Sequence, residues 1–289
     1  PHTTHHTPHT THHTPHIVKI ESLNYHLTTI MDSLIEDIII YISEFLDDVS
    51  KIRFMCSCRR LYTLMDSIRV KSQFPYTRIE DYRYKEIFTD ILFDVFQVPD
   101  GAQHSKYQDI WENFPNLKRL TFNYVFNDHV DLPAALEYVE FGYRFNKSIH
   151  LPQRLKYAVF GLEFNKPLIL PESIQSVIFG HWFNQPIMLP PNLQIIVFGT
   201  MFNQPVVLPP RLRIIRFGYS FNQPVNLPIG VEIVEFGSSF NQPIVLPQGI
   251  QVVDFGSSFN QPITLPKGVR TASFGRSFNQ PVVLPDGMQ

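Results

Sequence analysis

The sequence predicts an α+β chain in which a small N-terminal helical module precedes a β-solenoid, with 19-residue coils and one short parallel strand per coil. Three observations carry this prediction. A Phe-Asn pair recurs with a strict 19-residue period through the back half of the chain, a Gly and a Leu-Pro pair recur with the same period, and residues 31–69 contain neither Gly nor Pro. A strict short period is typical of solenoids, and a coil of this length has space for a strand and two turns but not for a helix.

A single unit, residues 193–211, shows what each coil needs. Its segment 193–198 is apolar and β-branched and stops at Gly199, which predicts one short strand per coil. Gly, or Asn123 in the first unit, follows every strand, and a residue with positive φ is the expected explanation. The Leu-Pro pair on the other side of the coil removes a backbone donor, so helical coils are not expected.

The two Phe columns of the repeat are expected to form an internal spine, because stacked coils bring each Phe against its copies above and below. Each buried Phe contributes roughly 1.5–3 kcal/mol. The Asn that follows the second Phe needs hydrogen-bond partners if it is buried, and stacking lets it bond turn backbone of its own and neighbouring coils. We therefore expect a structural ladder of Asn127, Asn146, Asn165, Asn184, Asn203, Asn222, Asn241, Asn260 and Asn279.

The repeated motif Phe-Asn-Gln-Pro-Ile/Val-x-Leu-Pro resembles the FNIP repeat, a short relative of the leucine-rich repeat, over residues 117–287. The strand segment, with its Leu-x-x-Val-x-Phe pattern, is similar to the strand portion of leucine-rich repeats. The resemblance implies an arc that carries its strands on one face. Because the period is shorter than is usual for that class, a straight three-faced β-helix is the alternative.

The front of the chain has a different composition. Residues 31–69 are rich in Ile, Leu and charged residues at helical spacings, which predicts a small helical module within residues 17–69. The run from Leu34 through Leu46 to Cys58-Arg59-Arg60 resembles an F-box in which Ile35 replaces the usual Pro. The resemblance implies that the module docks a Skp-type adaptor of cullin-RING ubiquitin ligases through Leu34, Ile38, Ile42, Phe45, Leu46, Ile52 and Cys58.

The alternative is that these side chains form only the core of a helical cap. A module of about 40 residues is marginally stable alone, so a requirement for a partner is physically reasonable.

The remaining segments complete the predicted domain organisation. Residues 1–16 are a His/Thr/Pro tract that is expected to be disordered, and its imidazoles lack the fixed geometry of a functional metal site. Residues 70–116 are expected to link the module to the solenoid and to cap its first coil, and residues 117–289 form the solenoid. No cap signal follows the last repeat, which predicts either an open strand edge able to pair with another chain or a fragment.

Composition excludes several functions. The net charge is −2 and no basic run is interleaved with aromatic residues, so no nucleic-acid partner is expected. No apolar stretch approaches the roughly 18 residues of a membrane span. Cys56 and Cys58 are too close for a disulfide framework, which favours the reducing cytoplasm. The sequence shows no nucleophile with a base, no metal-ligand spacing and no phosphate-binding loop, so we expect a non-catalytic protein without a cofactor.

The outward positions of the strands, with the turns that follow them, form the candidate surface for a client protein. If alternate strand residues point inward, the others make an apolar stripe bordered by aromatic side chains, and such surfaces are typical of interfaces. The alternative is that helices or a neighbouring chain cover the stripe. The residues expected to bind a client are Tyr138, Tyr143, Tyr157, Val159, Ile178, Trp182, Ile195, Val197 and Ile214.

Three functions follow from these features. The first is a substrate receptor of a Skp-cullin-F-box ubiquitin ligase, because an adaptor-docking module followed by a variable solenoid is the arrangement of F-box receptors. Chains of this type are typical of giant viruses and social amoebae, which implies an adaptor from a host and, for a viral chain, the host cytoplasm. The second is a protein-binding scaffold whose helical front is only a cap. The third is a structural solenoid that assembles end to end through its open edge.

Overall fold

The computed structural model describes residues 46–48, 50–51, 72–80, 85, 88–94 and 110–285. The chain divides into two compact units, Pro1–Val70 and Lys71–Gln289. The predicted His/Thr/Pro tract lies outside the described residues. So do the predicted helical module, apart from five residues, and every proposed adaptor contact except Leu46, which is half-buried. The F-box resemblance therefore stays a prediction.

The second unit contains a parallel sheet of eleven short strands, and each strand pairs with its neighbours in chain order. The last nine strands belong to the repeats and the first two precede them. The strands are β1 (Phe74–Pro75), β2 (Asp90–Phe93), β3 (Arg119–Phe122), β4 (Tyr138–Glu140), β5 (Tyr157–Val159), β6 (Ser176–Ile178), β7 (Ile195–Val197), β8 (Ile214–Arg216), β9 (Ile233–Glu235), β10 (Val252–Asp254) and β11 (Thr271–Ser273).

Successive coils pair without any slip in register. Val177 lies opposite Ile196, and Ile196 lies opposite Ile215, each 19 residues further along the chain. In β4 to β10 the middle side chain is buried while the outer two remain partly or fully exposed, because side chains alternate across a strand. The prediction of a solenoid with one short parallel strand per 19-residue coil is confirmed.

A spine of stacked Phe rings fills the interior of the coils. Within one coil the ring centroids of Phe198 and Phe202 are 3.8 Å apart. Between coils, Phe179 and Phe198 are 6.0 Å apart and Phe183 and Phe202 are 6.1 Å apart, with nearly parallel planes. Phe202 is fully buried. Two ring columns therefore run along the solenoid, and each ring contacts one ring in its own coil and one in each neighbouring coil.

The glycine column has a different cause from the one expected. Among the described residues only Gly256 has a positive φ, 68°, and no other residue type adopts one. Instead, a Cβ atom built on Gly199 would lie 1.7 Å from the carbonyl oxygen of Gly180. Successive coils approach so closely at this turn that there is no space for a side chain. The expectation of positive φ is therefore wrong at Asn123, Gly142, Gly161, Gly180, Gly199, Gly218, Gly237 and Gly275.

Strands β1 and β2 continue the sheet ahead of the repeats, within the segment predicted to link and cap. Their packing brings aromatic side chains to the first ring of the spine. The ring of Phe93 lies 5.9 Å from that of Phe126, 5.8 Å from that of Phe122 and 5.4 Å from that of Trp111. Phe93 and Trp111 are buried. Residues outside the repeat thus cover the first Phe rings.

Candidate functional site

Six outward side chains of β5 to β8, five of them apolar and none charged, form what we call the apolar window, which lies between the charged residues Glu140 and Arg216. It consists of Val159, Ser176, Ile178, Ile195, Val197 and Ile214. Strand register places Val159 beside Ile178, Ile178 beside Val197, and Ile195 beside Ile214. Five of the predicted client-binding residues therefore lie in one contiguous patch.

Large exposed side chains border the apolar window. Trp182, in the turn after β6, is 51% exposed, and its ring centroid lies 5.0 Å from that of His181. Tyr143, Tyr157 and Met201 are also exposed. Rigid aromatic groups beside an apolar floor are typical anchors of protein interfaces, because they bury large areas at a small entropic cost.

The charged groups at the two ends of the window already have partners within the solenoid. At one end the Tyr138 hydroxyl donates a 2.7 Å hydrogen bond to the Glu140 carboxylate. At the other end the Arg216 Nε lies 3.0 Å from the Glu235 carboxylate. The Arg216–Glu235 pair is neutral overall, while Glu140 keeps its negative charge because its partner is a neutral hydroxyl. The floor between these two ends is uncharged, so the site favours a client with an apolar contact surface over a strongly charged one.

Two groups of ion pairs lie along the edge of the sheet just before the strands, separated by the uncharged residues Gln175 and Gln194. The Glu137 carboxylate lies 2.7 Å from the Lys156 ammonium and 3.2 Å from the Lys118 ammonium. The hydrogen bond from Lys156, followed by that from Lys118, lowers the pKa of Glu137, and the same bond raises the pKa of Lys156. Further along, Arg213 and Glu232 form two parallel bonds of 2.8 and 3.0 Å. These pairs tie neighbouring coils together.

Tyr138 differs from the other predicted client contacts because it is held on both sides. The Arg119 guanidinium lies 4.0 Å from its ring centroid, while the Arg119 Nε bonds the Asp90 carboxylate at 3.1 Å. Burial, and secondly the bond to Glu140, raise the pKa of Tyr138 to about 12. Tyr138 is half-buried, and its contacts with Arg119 and Glu140 hold its ring in place at the end of the site.

The Asn column forms the ladder beneath the turns. The backbone N–H of each Asn donates to the Oδ1 atom of the Asn one coil earlier, at 2.9–3.0 Å, from Asn146 to Asn279. From Gln185 onward, the side-chain amide of the Gln that follows each Asn also donates to the Asn one coil earlier. Gln223, for example, donates to the Asn203 Oδ1 at 3.2 Å. Sequence reasoning missed this Gln column. The available signal was the sequence position itself: the residue after the ladder Asn is Lys147 and Lys166 in two early coils, and it is Gln in every coil from Gln185 onward.

Neither a metal site nor a membrane-spanning helix is found in the part of the chain that the structure describes. In those residues no three His, Cys, Asp or Glu side chains come together in a way that could hold a metal ion. Within the same residues, no helix is both long and apolar enough to cross a bilayer.

The comparisons with known proteins agree with this geometry. The FNIP Repeat model matches residues 145–182, 183–220, 202–239, 221–258 and 240–269. The chain is similar to the solved structure of CroV588, described as a novel circular LRR protein, with 31% sequence identity and a TM-score of 0.51. That match covers 60% of this chain and 33% of the CroV588 chain, so it spans about a third of that protein's length. No curated protein matches the chain.

The residues matched by the family model lie within the run of 19-residue coils, each of which carries one parallel strand. The coils between residues 145 and 269 are therefore recognised as FNIP repeats, and they build a leucine-rich-repeat-like β-solenoid.

Proposed function

We propose that this chain is a non-catalytic receptor that binds a client protein on the apolar window of its solenoid. In this proposal residues 17–69 dock a Skp-type adaptor, and the recruited cullin-RING complex transfers ubiquitin to the client. Any catalytic activity belongs to that complex, no cofactor is needed, and the site of action is the cytoplasm. The adaptor would come from a host if the chain is viral.

The apolar window with its exposed aromatic border is the single observation that carries the proposal. Val159, Ile178 and Val197 form a continuous column, and no charge interrupts it between Glu140 and Arg216. Trp182 and Tyr157 remain exposed beside this column. Ile178 is exposed and the other apolar side chains of the window are half-buried. Contiguous apolar surface that stays accessible is typical of binding sites, because an isolated protein gains nothing by leaving it in water.

Capture by the full chain tests the client site. The wild-type chain and the double variant Trp182→Ala/Tyr157→Ala are immobilised, and proteins bound from a lysate are quantified. We expect at least one protein to fall about tenfold or more in the double variant, because interface aromatics are worth about 1.4 kcal/mol or more. Tyr124→Ala is the matched control, since Tyr124 is exposed but follows β3, outside the window.

Both substituted side chains are exposed, so the unfolding midpoint of the double variant should equal that of the wild type. Equal capture by the wild-type chain and a folded double variant would sink the proposed client site.

Binding to a purified Skp-type adaptor tests the other half of the proposal. The full chain should bind, Ile42→Asp and Phe45→Asp should abolish binding, and Trp182→Ala/Tyr157→Ala should leave it unchanged. A wild-type chain that does not bind the adaptor removes ubiquitin transfer and leaves a protein-binding scaffold. End-to-end assembly through a strand edge, the third predicted function, requires instead that the mass of the particles grow continuously with concentration.

A further inference from the structure

The most exposed apolar side chains of the described structure lie outside the sheet, in the return segment of each coil. We define the return segment as the stretch from the Pro that follows Phe-Asn-Gln to the residue after the next Leu-Pro pair. At its centre Ile169, Met188, Val207, Val245 and Val283 are each 85–89% exposed. They occupy the x position of the Phe-Asn-Gln-Pro-Ile/Val-x-Leu-Pro motif, which reads Phe-Asn-Lys-Pro-Leu-x-Leu-Pro in the coil of Ile169, so they recur with the coil period.

Four successive return segments, 186–191, 205–210, 224–229 and 243–248, contain no charged residue. In each of them the first, third and last side chains are exposed. Ten of these are Pro, Met, Val or Ile, and the polar exceptions are Asn226 and Gln248. Val207 lies about half a coil beyond Val197 along the chain, so this surface, which we call the return ridge, is separate from the apolar window.

The area and the spacing of the return ridge indicate its occupant. An apolar side chain offers roughly 60–120 Å². The ten exposed apolar side chains therefore provide on the order of 800 Å², which is the contribution of one partner to a standard interface. A partner must also repeat its apolar groups at the coil spacing of about 4.8 Å, and a second solenoid of the same sequence does so in every coil.

We propose that the return ridge is the interface of a two-fold symmetric homodimer of this chain. A two-fold contact uses the same patch on both copies, and an uncharged patch meets its copy without like-charge repulsion. This inference does not depend on the proposed function, since it involves neither the apolar window nor the adaptor.

Asn226 sets the register of the two copies. It interrupts the apolar column between Val207 and Val245 and is itself exposed. Buried against an apolar side chain, its amide would lack partners, which is costly, whereas two Asn226 amides that meet across the two-fold axis can bond each other. A single Asn in an apolar seam fixes register in the same way in coiled coils.

Sedimentation equilibrium of the full chain tests the dimer. At about 10 µM the wild type should have the mass of two 33.6 kDa chains. Met188→Asp/Val207→Asp should raise the dimer dissociation constant about 100-fold or more, because each copy would bury two carboxylates against apolar surface. Tyr124→Asp, which places a carboxylate at an exposed position outside the ridge, should leave it unchanged. A monomeric wild type, or a dimer that persists in the double variant, overturns the proposal.

Disulfide crosslinking tests the register. Cys56 and Cys58 are replaced by Ser, and a single Cys is introduced as Asn226→Cys or, for the control, Tyr124→Cys. Mild oxidation should convert most of the Asn226→Cys chain to a covalent dimer and little of the control. Equal crosslinking of the two variants overturns the two-fold arrangement about Asn226.

Discussion

At the scale of single residues, the close approach of coils at the glycine turn makes the strongest demand on the sequence. A Cβ atom at Gly199 meets a backbone carbonyl at 1.7 Å, while one at Gly230 finds its nearest neighbour, the carbonyl oxygen of Pro210, at 3.5 Å. The first contact is impossible without a shift of the backbone, and the second is ordinary van der Waals contact. Steric contact therefore requires glycine at position 199, whereas position 230 has space for a side chain.

We expect Gly199→Ala to lower the free energy of unfolding by about 3 kcal/mol or more, because neither coil can move without breaking its strand pairing. Gly230→Ala should instead be neutral or more stable by up to about 1 kcal/mol, since Ala restricts the unfolded chain. Urea unfolding of both variants measures the difference. Similar losses in the two variants would mean that the coils separate easily at this turn.

The Glu137 ion pairs predict a dependence of stability on pH. Because hydrogen bonds from Lys156 and Lys118 lower the pKa of Glu137, the stabilisation is present above the ordinary carboxyl pKa of 4.5 and is lost as pH falls through the lowered value. Glu137→Gln should cost less than about 1 kcal/mol at neutral pH, since the ammonium groups are largely exposed. The cost should shrink as pH falls below 4.5 and vanish once pH has passed the lowered pKa of Glu137.

Unfolding of wild type and Glu137→Gln across this pH range checks the prediction. Glu172→Gln is the control, because the Glu172 carboxylate forms no ion pair with the described residues. A penalty for Glu137→Gln that stays constant down to the lowest pH would show that shape rather than charge accounts for it.

At the scale of the element, the repeat period was enough to predict the strand, the Phe spine and the Asn column. Residue type alone, however, could not give the cause of the glycine column, because Gly is compatible with both positive φ and close contact. The contact between Gly199 and Gly180 depends on the distance between coils. The Gln column was hidden for a related reason, since a polar residue such as Gln223 resembles any exposed one until its acceptor on Asn203 is known.

The Asn ladder predicts a cost for removing one acceptor. Asn203 Oδ1 accepts hydrogen bonds from the Asn222 N–H at 2.9 Å and from the Gln223 amide at 3.2 Å. Asn203→Ala should therefore cost about 1–3 kcal/mol, because a part-buried N–H loses its acceptor. Asn203→Asp keeps an acceptor and should recover part of this loss.

Asn192→Ala is the control for the ladder, since the Asn192 side chain makes only exposed hydrogen bonds. It should change stability by less than about 0.5 kcal/mol. Equal losses for Asn203→Ala and Asn192→Ala in urea unfolding would remove the ladder as a source of stability.

At the scale of the whole molecule, the solenoid explains why the apolar window was predictable and the return ridge was not. Alternation along strands such as Ile195–Val197 assigns outward residues directly from the sequence. Return segments have no such alternation, so the exposure of Met188 and Val207 emerges only when the coil closes. The available signal was that the variable position of the motif remains apolar in most coils.

The strict period also predicts how the molecule responds to the loss of a coil. Deleting residues 200–218 removes one complete repeat, including β8, and joins Gly199 to Tyr219, so that each later residue keeps its place in the coil. The energy of a solenoid is approximately a sum over coils and their contacts, so this variant should fold cooperatively with lower stability.

Deleting residues 200–217 leaves one extra residue, which turns the inward side chains of the next strand outward. That variant should lose cooperative unfolding, measured by circular dichroism during urea titration. If both deletions unfold alike, the coils tolerate a slip in register, and the in-register Phe and Asn columns are not what hold the solenoid together.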